Sequence, residues 1–292
     1  MTQQPLSRRI RFASLALIAG TGLVAGTAQA EEKGTVELAY VEWASEVAST
    51  NVVRVVLEQA GYEVEMTSLS AAAMWQAVAS GDADAIVAAW LPTTHADYLE
   101  RVSDDVVDLG VNLDGTKLGL VVPAYTDVDS IAELDANADT FDGTITGIDP
   151  GAGLMSLTEQ VVEDYDLEKM DLQSGSGATM TAALDSALDN QEDIVVTSWT
   201  PHWMFARWDL KYLEDPKNVY GGAEQIHTIA RDGLEEDLPG AYAILDAFEW
   251  TPEQMGEVML GNQAEDADPY EVAKQWVADN QDVVQAWLPA EG

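Results

Sequence analysis

Nine tryptophans stand in this chain against only four phenylalanines, so its aromatic surface is largely indole. The negative face of an indole is the best side-chain surface for attracting a quaternary ammonium group. Trp75, Trp208, Trp250, Trp276 and Trp287 fall within or just after helical periods and read as core or helix-surface residues. Trp43, Trp90 and Trp199 differ, because each lies just beyond a predicted strand, where a packing aromatic is less expected. These three are the candidates for ligand contact. A second constellation is Gly147-Ile148-Asp149-Pro150-Gly151-Ala152-Gly153-Leu154, a glycine-rich turn that opens a helix. Free backbone N–H groups converge there with the positive end of the helix dipole, which makes an anion site; a plain tight turn is the alternative. His95 offers a ring donor and, when protonated, a charge, although a loop histidine bonded to backbone has the same signature.

Catalytic signatures are scarce by comparison. The chain has no cysteine, hence no thiol nucleophile and no disulfide. Its three histidines, His95, His202 and His227, match no zinc-binding spacing. Neither a phosphate loop nor a Gly-x-Ser-x-Gly elbow is present. With 52 acidic residues, paired carboxylates arise by chance, so a glycosidase dyad cannot be argued from them. The formal net charge of −39 excludes nucleic acid and anionic membrane surfaces as partners. The carboxylates are scattered among apolar periods, as expected of a solvated acidic coat suited to high salt.

Residues 1–30 read as a cleaved export signal. Arg8, Arg9 and Arg11 form a positive start, an apolar run of about fifteen residues follows, and Ala28-Gln29-Ala30 is a small-x-small cleavage site. That run is too short to span a bilayer, which takes roughly twenty residues. The pair Arg8-Arg9 leaves Sec and twin-arginine export both open. With no cysteine after the signal to carry a lipid, the mature chain is expected to be free in a periplasm.

The elements that would position the tryptophans alternate between strand and helix, which argues for an α/β fold. Strands are expected at 35–41, 63–67, 85–89 and 118–122, with helices at 52–60 and 71–79 between them. A second unit has strands at 144–148 and 194–197 and helices at 153–165 and 180–188, and helices are expected again at 241–248, 252–260 and 269–288. The two units resemble each other: Asp84 to Trp90 with Pro92 and His95 lines up with Asp193 to Trp199 with Pro201 and His202. Each places a Trp and then a Pro at the carboxyl end of a buried strand, the edge where open α/β sheets bind ligands. Two such edges facing each other form a cleft between lobes.

With these residues assembled, the chain resembles the glycine betaine/proline betaine substrate-binding proteins of ABC importers over about residues 35–290. The likeness is carried by Tyr40-Val41-Glu42-Trp43, by residues 81–92 ending in Trp90-Leu91-Pro92, by residues 147–153, and by residues 195–205 around Trp199. It implies a two-lobe, type II-like periplasmic binding protein without catalytic activity. Trp43, Trp90 and Trp199 would cage a trimethylammonium group, while His95 and the N–H groups of Gly153 and Leu154 hold a carboxylate. The implied ligand is glycine betaine, an osmoprotectant, and the implied partner is an inner-membrane ABC permease. Members exist with the two halves in opposite chain order; here the half carrying Trp43, Trp90 and His95 comes first. One lobe is expected to comprise residues 31–121 plus 213–292 and the other 122–212. A choline or sulfonium-betaine receptor would use the same cage. From another class, a secreted carbohydrate-active enzyme would also use tryptophan faces.

Overall fold

The computed structural model of the chain describes residues 33–289, so the expected signal at residues 1–30 lies outside the described residues. The first elements are β1 (Thr35–Tyr40), α1 (Ala44–Gln59), β2 (Glu63–Ser68), α2 (Ala71–Ser80), β3 (Ala85–Leu91), α3 (Ala96–Val102) and a long β4 (Val106–Pro123). After two 3-10 segments come β5 (Thr144–Thr146), α4 (Gly153–Asp164), β6 (Asp171–Gln173), α5 (Gly177–Asn190), β7 (Val195–Thr200), α6 (Met204–Arg207) and β8 (Leu210–Tyr212). The strand β9 (Glu224–Arg231) precedes a run of helices: α7 (Leu234–Asp237), α8 (Pro239–Ala247), α9 (Pro252–Gly261), α10 (Pro269–Asp279) and α11 (Gln281–Val284). Among the described residues no helix is long and apolar enough to cross a membrane.

The strands run in the order β2-β1-β3-β9-β4-β7-β5-β6, with β8 on β4. Strand β4 is common to both halves. Its first part, Val106 to Thr116, pairs antiparallel with β9, while Lys117 to Val121 pair with β7. The exchange of partners falls a few residues before the boundary expected at residue 121. In the first half, β1 pairs in parallel with β2 and β3. In the second, β5 does so with β6 and β7. Parallel strands with helices on both faces read as near-continuous apolar runs. Strand β3, Ala-Ile-Val-Ala-Ala-Trp-Leu, is buried at every position.

Local chemistry explains where the helices start and stop, and where sequence periods misled. Helix α2 ends at Gly81, whose φ of 77° is the left-handed conformation that glycine adopts without steric cost. Ser176 with Thr179, and Thr251 with Gln254, form reciprocal caps that open α5 and α9. Helix α1 begins eight residues before the expected 52, because its first turns are polar yet buried: Ser45, Glu46, Ser49, Thr50 and Asn51. Glu46 accepts the Val41 N–H at 2.6 Å, and Asn51 bonds the Val47 carbonyl at 2.8 Å. The expected helix at 269–288 is broken at Asn280, whose φ of −117° and ψ of 40° are not helical. Strand β9 was not expected at all. Its buried positions include the polar Glu224 and Thr228 beside Ile226, Ile229 and Ala230, and this mixture hid a strand that lies between β3 and β4.

Candidate functional site

The three tryptophans reach one place from three elements. Trp90 is the penultimate residue of β3 and Trp199 the penultimate residue of β7, so both lie inside their strands, not beyond them. The strands run further than their apolar periods suggest because β9 and β4 continue to pair with them, Ile226 opposite Trp90 and Leu118 opposite Trp199. Trp43 is the residue that precedes α1, separated from β1 by Val41 and Glu42. All three are buried.

Together with His95, Gly153 and Leu154 they line one cavity with about 290 Å³ of empty space, completed by Thr94, Leu118 and Ala152. The six residues singled out in the sequence therefore converge. Trp75, read as core, is fully buried behind the site and meets the edge of the His95 ring at a centroid distance of 5.9 Å.

The same lining includes hydrogen-bond donors. Gly153 and Leu154 occupy the first two positions of α4, where backbone N–H groups have no intrahelical acceptor. Ala152 before them supplies no side-chain cap, and the first turn carries no acidic residue. His95 stands close by. Its Nδ1 accepts the Trp90 N–H at 3.1 Å, which fixes the neutral tautomer and leaves an Nε2–H to donate. Complete burial pushes the His95 pKa down to about 3. The charge that a protonated ring would bring is therefore absent at physiological pH, where the ring is neutral.

That assignment has a measurable consequence. Ligand affinity should stay within about twofold between roughly pH 7.5 and pH 5, because the ring does not titrate there. Calorimetry at the two pH values checks it; a severalfold gain on acidification would mean that His95 protonates near its ordinary value. Stability behaves differently. His202, also buried, is likewise held down to about 3. Below about 6.5 the unfolded chain takes up protons that these two folded-state rings refuse, so each removes up to about 1.4 kcal/mol of stability per pH unit. Glu46 opposes them: burial raises its pKa to about 8, so its contribution is complete below 4.5 and lost as pH rises through 8.

Contacts across the cleft bring the two sheets' loops together. Trp43 Nε1 donates to Asp149 at 3.0 Å, and the Tyr98 hydroxyl donates to the Gly151 carbonyl at 2.7 Å. A Cβ on Gly153 would lie 2.1 Å from the Thr94 carbonyl oxygen, so only glycine permits this approach. Glu224 was not anticipated. From β9 it accepts the N–H groups of Thr93 and Thr94 at 2.6 and 2.8 Å and the Thr94 hydroxyl as well, shaping the turn that presents His95. Nothing in its local sequence marked it. Among the described residues no group of three or more His, Cys, Asp or Glu could hold a metal.

A family model described as the substrate binding domain of ABC-type glycine betaine transport systems matches residues 34–279. The chain belongs to this family. Its members are the binding components of transporters, not enzymes, and they work outside the cytoplasm. The chain is similar to the glycine betaine/carnitine transport binding protein GbuC of Listeria monocytogenes, 51% identical over 163 residues. That match spans about half of each protein, 54% of this chain and 54% of GbuC. Lactococcal OpuAC, solved in its closed, liganded conformation with glycine betaine, is 45% identical, with a TM-score of 0.83 over 88% of this chain and 100% of that one. An ABC-transporter choline-binding protein solved with choline is 28% identical, with a TM-score of 0.81 over 87% and 91% of the two chains. These likenesses carry the two-lobe binding-protein fold over the described chain.

Proposed function

We propose that the chain captures glycine betaine in the cavity between its two sheets and delivers it to an ABC permease. The observation that carries this reading is the pairing of opposite chemistries in one small space. Three buried indoles line it together with the opening residues of α4, whose N–H groups have no intrahelical acceptor, and with His95. The trimethylammonium group lies among Trp43, Trp90 and Trp199, each desolvated contact contributing about 2 kcal/mol at best. The carboxylate takes hydrogen bonds from the N–H groups of Gly153 and Leu154 and from His95 Nε2–H. Membership of a glycine betaine transport family, and the likeness to a relative solved with glycine betaine, support the same assignment.

In this reading residues 31–121 with 213–292 form one lobe and 122–212 the other, closing by hinge motion about the segments that connect them. Residues 1–30 direct export. The mature protein works in the periplasm. The choline-binding relative makes a cationic alcohol the nearest competitor. Choline fills the cage equally well but offers only a hydroxyl to the donors at the other end, leaving part of that set poorly matched at a cost of about 1–3 kcal/mol. Glycine betaine should therefore bind at least about tenfold more tightly than choline. A tryptophan-fluorescence titration with glycine betaine, proline betaine, choline, a sulfonium betaine and an oligosaccharide tests this. Saturation by the oligosaccharide alone, or by choline ahead of every betaine, overturns the assignment.

A further inference from the structure

The cage is not the largest opening between the sheets. Behind Trp199 lies a second cleft with about 1040 Å³ of empty space, against about 290 Å³ for the cage. Trp199 is a wall of both. The cleft spans the same seam: Glu42 and Val47 border it from the β1–α1 side, Asn262 from the end of α9, and α5 with residues 199–208 from the other sheet.

Its lining repeats the chemistry of the cage, for a reason visible in the sequence. His202 follows Trp199 through a Pro, as His95 follows Trp90. In both histidines Nδ1 accepts a backbone N–H, from Met204 at 3.2 Å for His202, so Nε2–H is left as the donor. His202 is buried, lines the cleft, and has no hydrogen-bond partner on Nε2 among the described residues. Indole rings adjoin it in series: Trp199 and His202 T-shaped at 4.6 Å, His202 and Trp203 tilted at 5.3 Å, Trp203 and Trp208 tilted at 5.1 Å. Arg207 lies 6.0 Å from the Trp203 ring and 5.4 Å from the Trp208 ring. In so acidic a chain a guanidinium would be expected to carry a carboxylate. Arg207 forms no ion pair with any described residue, while Glu42 and Asp185 line the same cleft.

We propose that this cleft is a second, weaker site for the same class of small zwitterion, its carboxylate on Arg207 and His202 Nε2–H and its quaternary ammonium toward the acids Glu42 and Asp185. Both charge signs are present in the lining, which suits a zwitterion and not a simple anion or cation. Weakness follows from the geometry, since the cleft is wide, Arg207 and Glu42 are exposed, and the indoles do not enclose a point from three sides. The shared Trp199 makes the cleft an antechamber in which ligand is held next to the cage. The choice of ligand class rests on the reading given under Proposed function.

Equilibrium dialysis of radiolabelled glycine betaine against the mature protein, carried into the tens of millimolar, reads both sites. Wild type should bind one ligand tightly and a second in the millimolar range. Trp90→Ala should weaken the tight phase at least about tenfold and leave the weak one in place. Arg207→Ala should do the reverse, weakening the second phase at least about tenfold, with Arg207→Lys intermediate. Saturation of wild type at one ligand, or a second phase indifferent to Arg207→Ala, overturns the second site while leaving the cage intact. Absence of the tight phase from wild type overturns the ligand assignment itself and this proposal with it.

Discussion

Trp90→Ala should weaken glycine betaine binding by at least about tenfold, and more nearly thirtyfold if the contact is fully desolvated. Trp90 is buried in β3 and lines the cavity, so in the proposed complex its ring would meet the ammonium group with water excluded. A desolvated cation–π contact is worth about 2 kcal/mol, and each 1.4 kcal/mol is tenfold in affinity. Trp43→Ala and Trp199→Ala should behave alike, with Trp→Tyr milder at each position. Trp276 supplies the contrast. It is equally buried, donates to Glu257 at 3.1 Å and packs against Trp250 and Trp287 in the carboxyl-terminal helices. Trp276→Ala leaves a cavity that costs about 3–5 kcal/mol of stability, yet affinity should remain within a few-fold in protein that is still folded. Calorimetry on folded variants separates the two outcomes. Equal losses of affinity at Trp276 and at the three cage positions would contradict the cage.

Gly153→Ala should be still more damaging to binding, with little effect on stability. Its new Cβ would sit 2.1 Å from the Thr94 carbonyl oxygen and 2.7 Å from Thr94 Cγ2. Carbonyl oxygen and Cβ cannot approach so closely, and the oxygen belongs to a turn held by Glu224. The two sides of the cleft would have to separate, drawing the Gly153 and Leu154 N–H donors away from the tryptophans. If the closed arrangement falls to about 1% of the population, affinity falls about a hundredfold. An open chain loses nothing by the change, because alanine is the better residue in a helix by roughly 0.5–1 kcal/mol. The melting temperature without ligand should hold steady or rise slightly. Gly151→Ala is the matched control, since a Cβ there meets nothing within 4 Å. It should bind as wild type does. Near-normal affinity in Gly153→Ala would mean that closure does not pass through this contact.

Much of this site is legible in the sequence because its main parts are rare residues at strand and helix ends. A tryptophan after an apolar run, and glycines before a helix, announce themselves locally. Strands β1, β2 and β3 were read within two residues, β3 being uniformly apolar and followed by Pro92, and β1 and β2 being preceded by Gly34 and Gly61. What escaped acts through partners remote in the chain. Glu224 reaches the Thr93–Thr94 turn across more than 130 residues, and Asp149 holds Trp43 across 106. No local period encodes such bonds. Strand β9 escaped because its buried positions include Glu224 and Thr228, polar residues satisfied only by neighbours that the fold brings in. The protonation of His95 was left open in the sequence on the same ground. Burial and the Trp90 N–H decide it, and neither can be seen in the residue type.

The central claim is that the site recognises both ends of a zwitterion, and His95→Ala divides the ends. Calorimetry of wild type and His95→Ala with glycine betaine and with choline is the measurement. In wild type, betaine should bind at least about tenfold more tightly than choline. The substitution removes one donor to the carboxylate, worth about 1.5–3 kcal/mol for a hydrogen bond to a charged group, so betaine affinity should fall about tenfold or more. Choline, held through the cage, should change little, and the preference between the two should collapse. If both ligands lose the same factor, His95 supports the cage rather than the carboxylate, and the assignment of the two poles of the site is wrong.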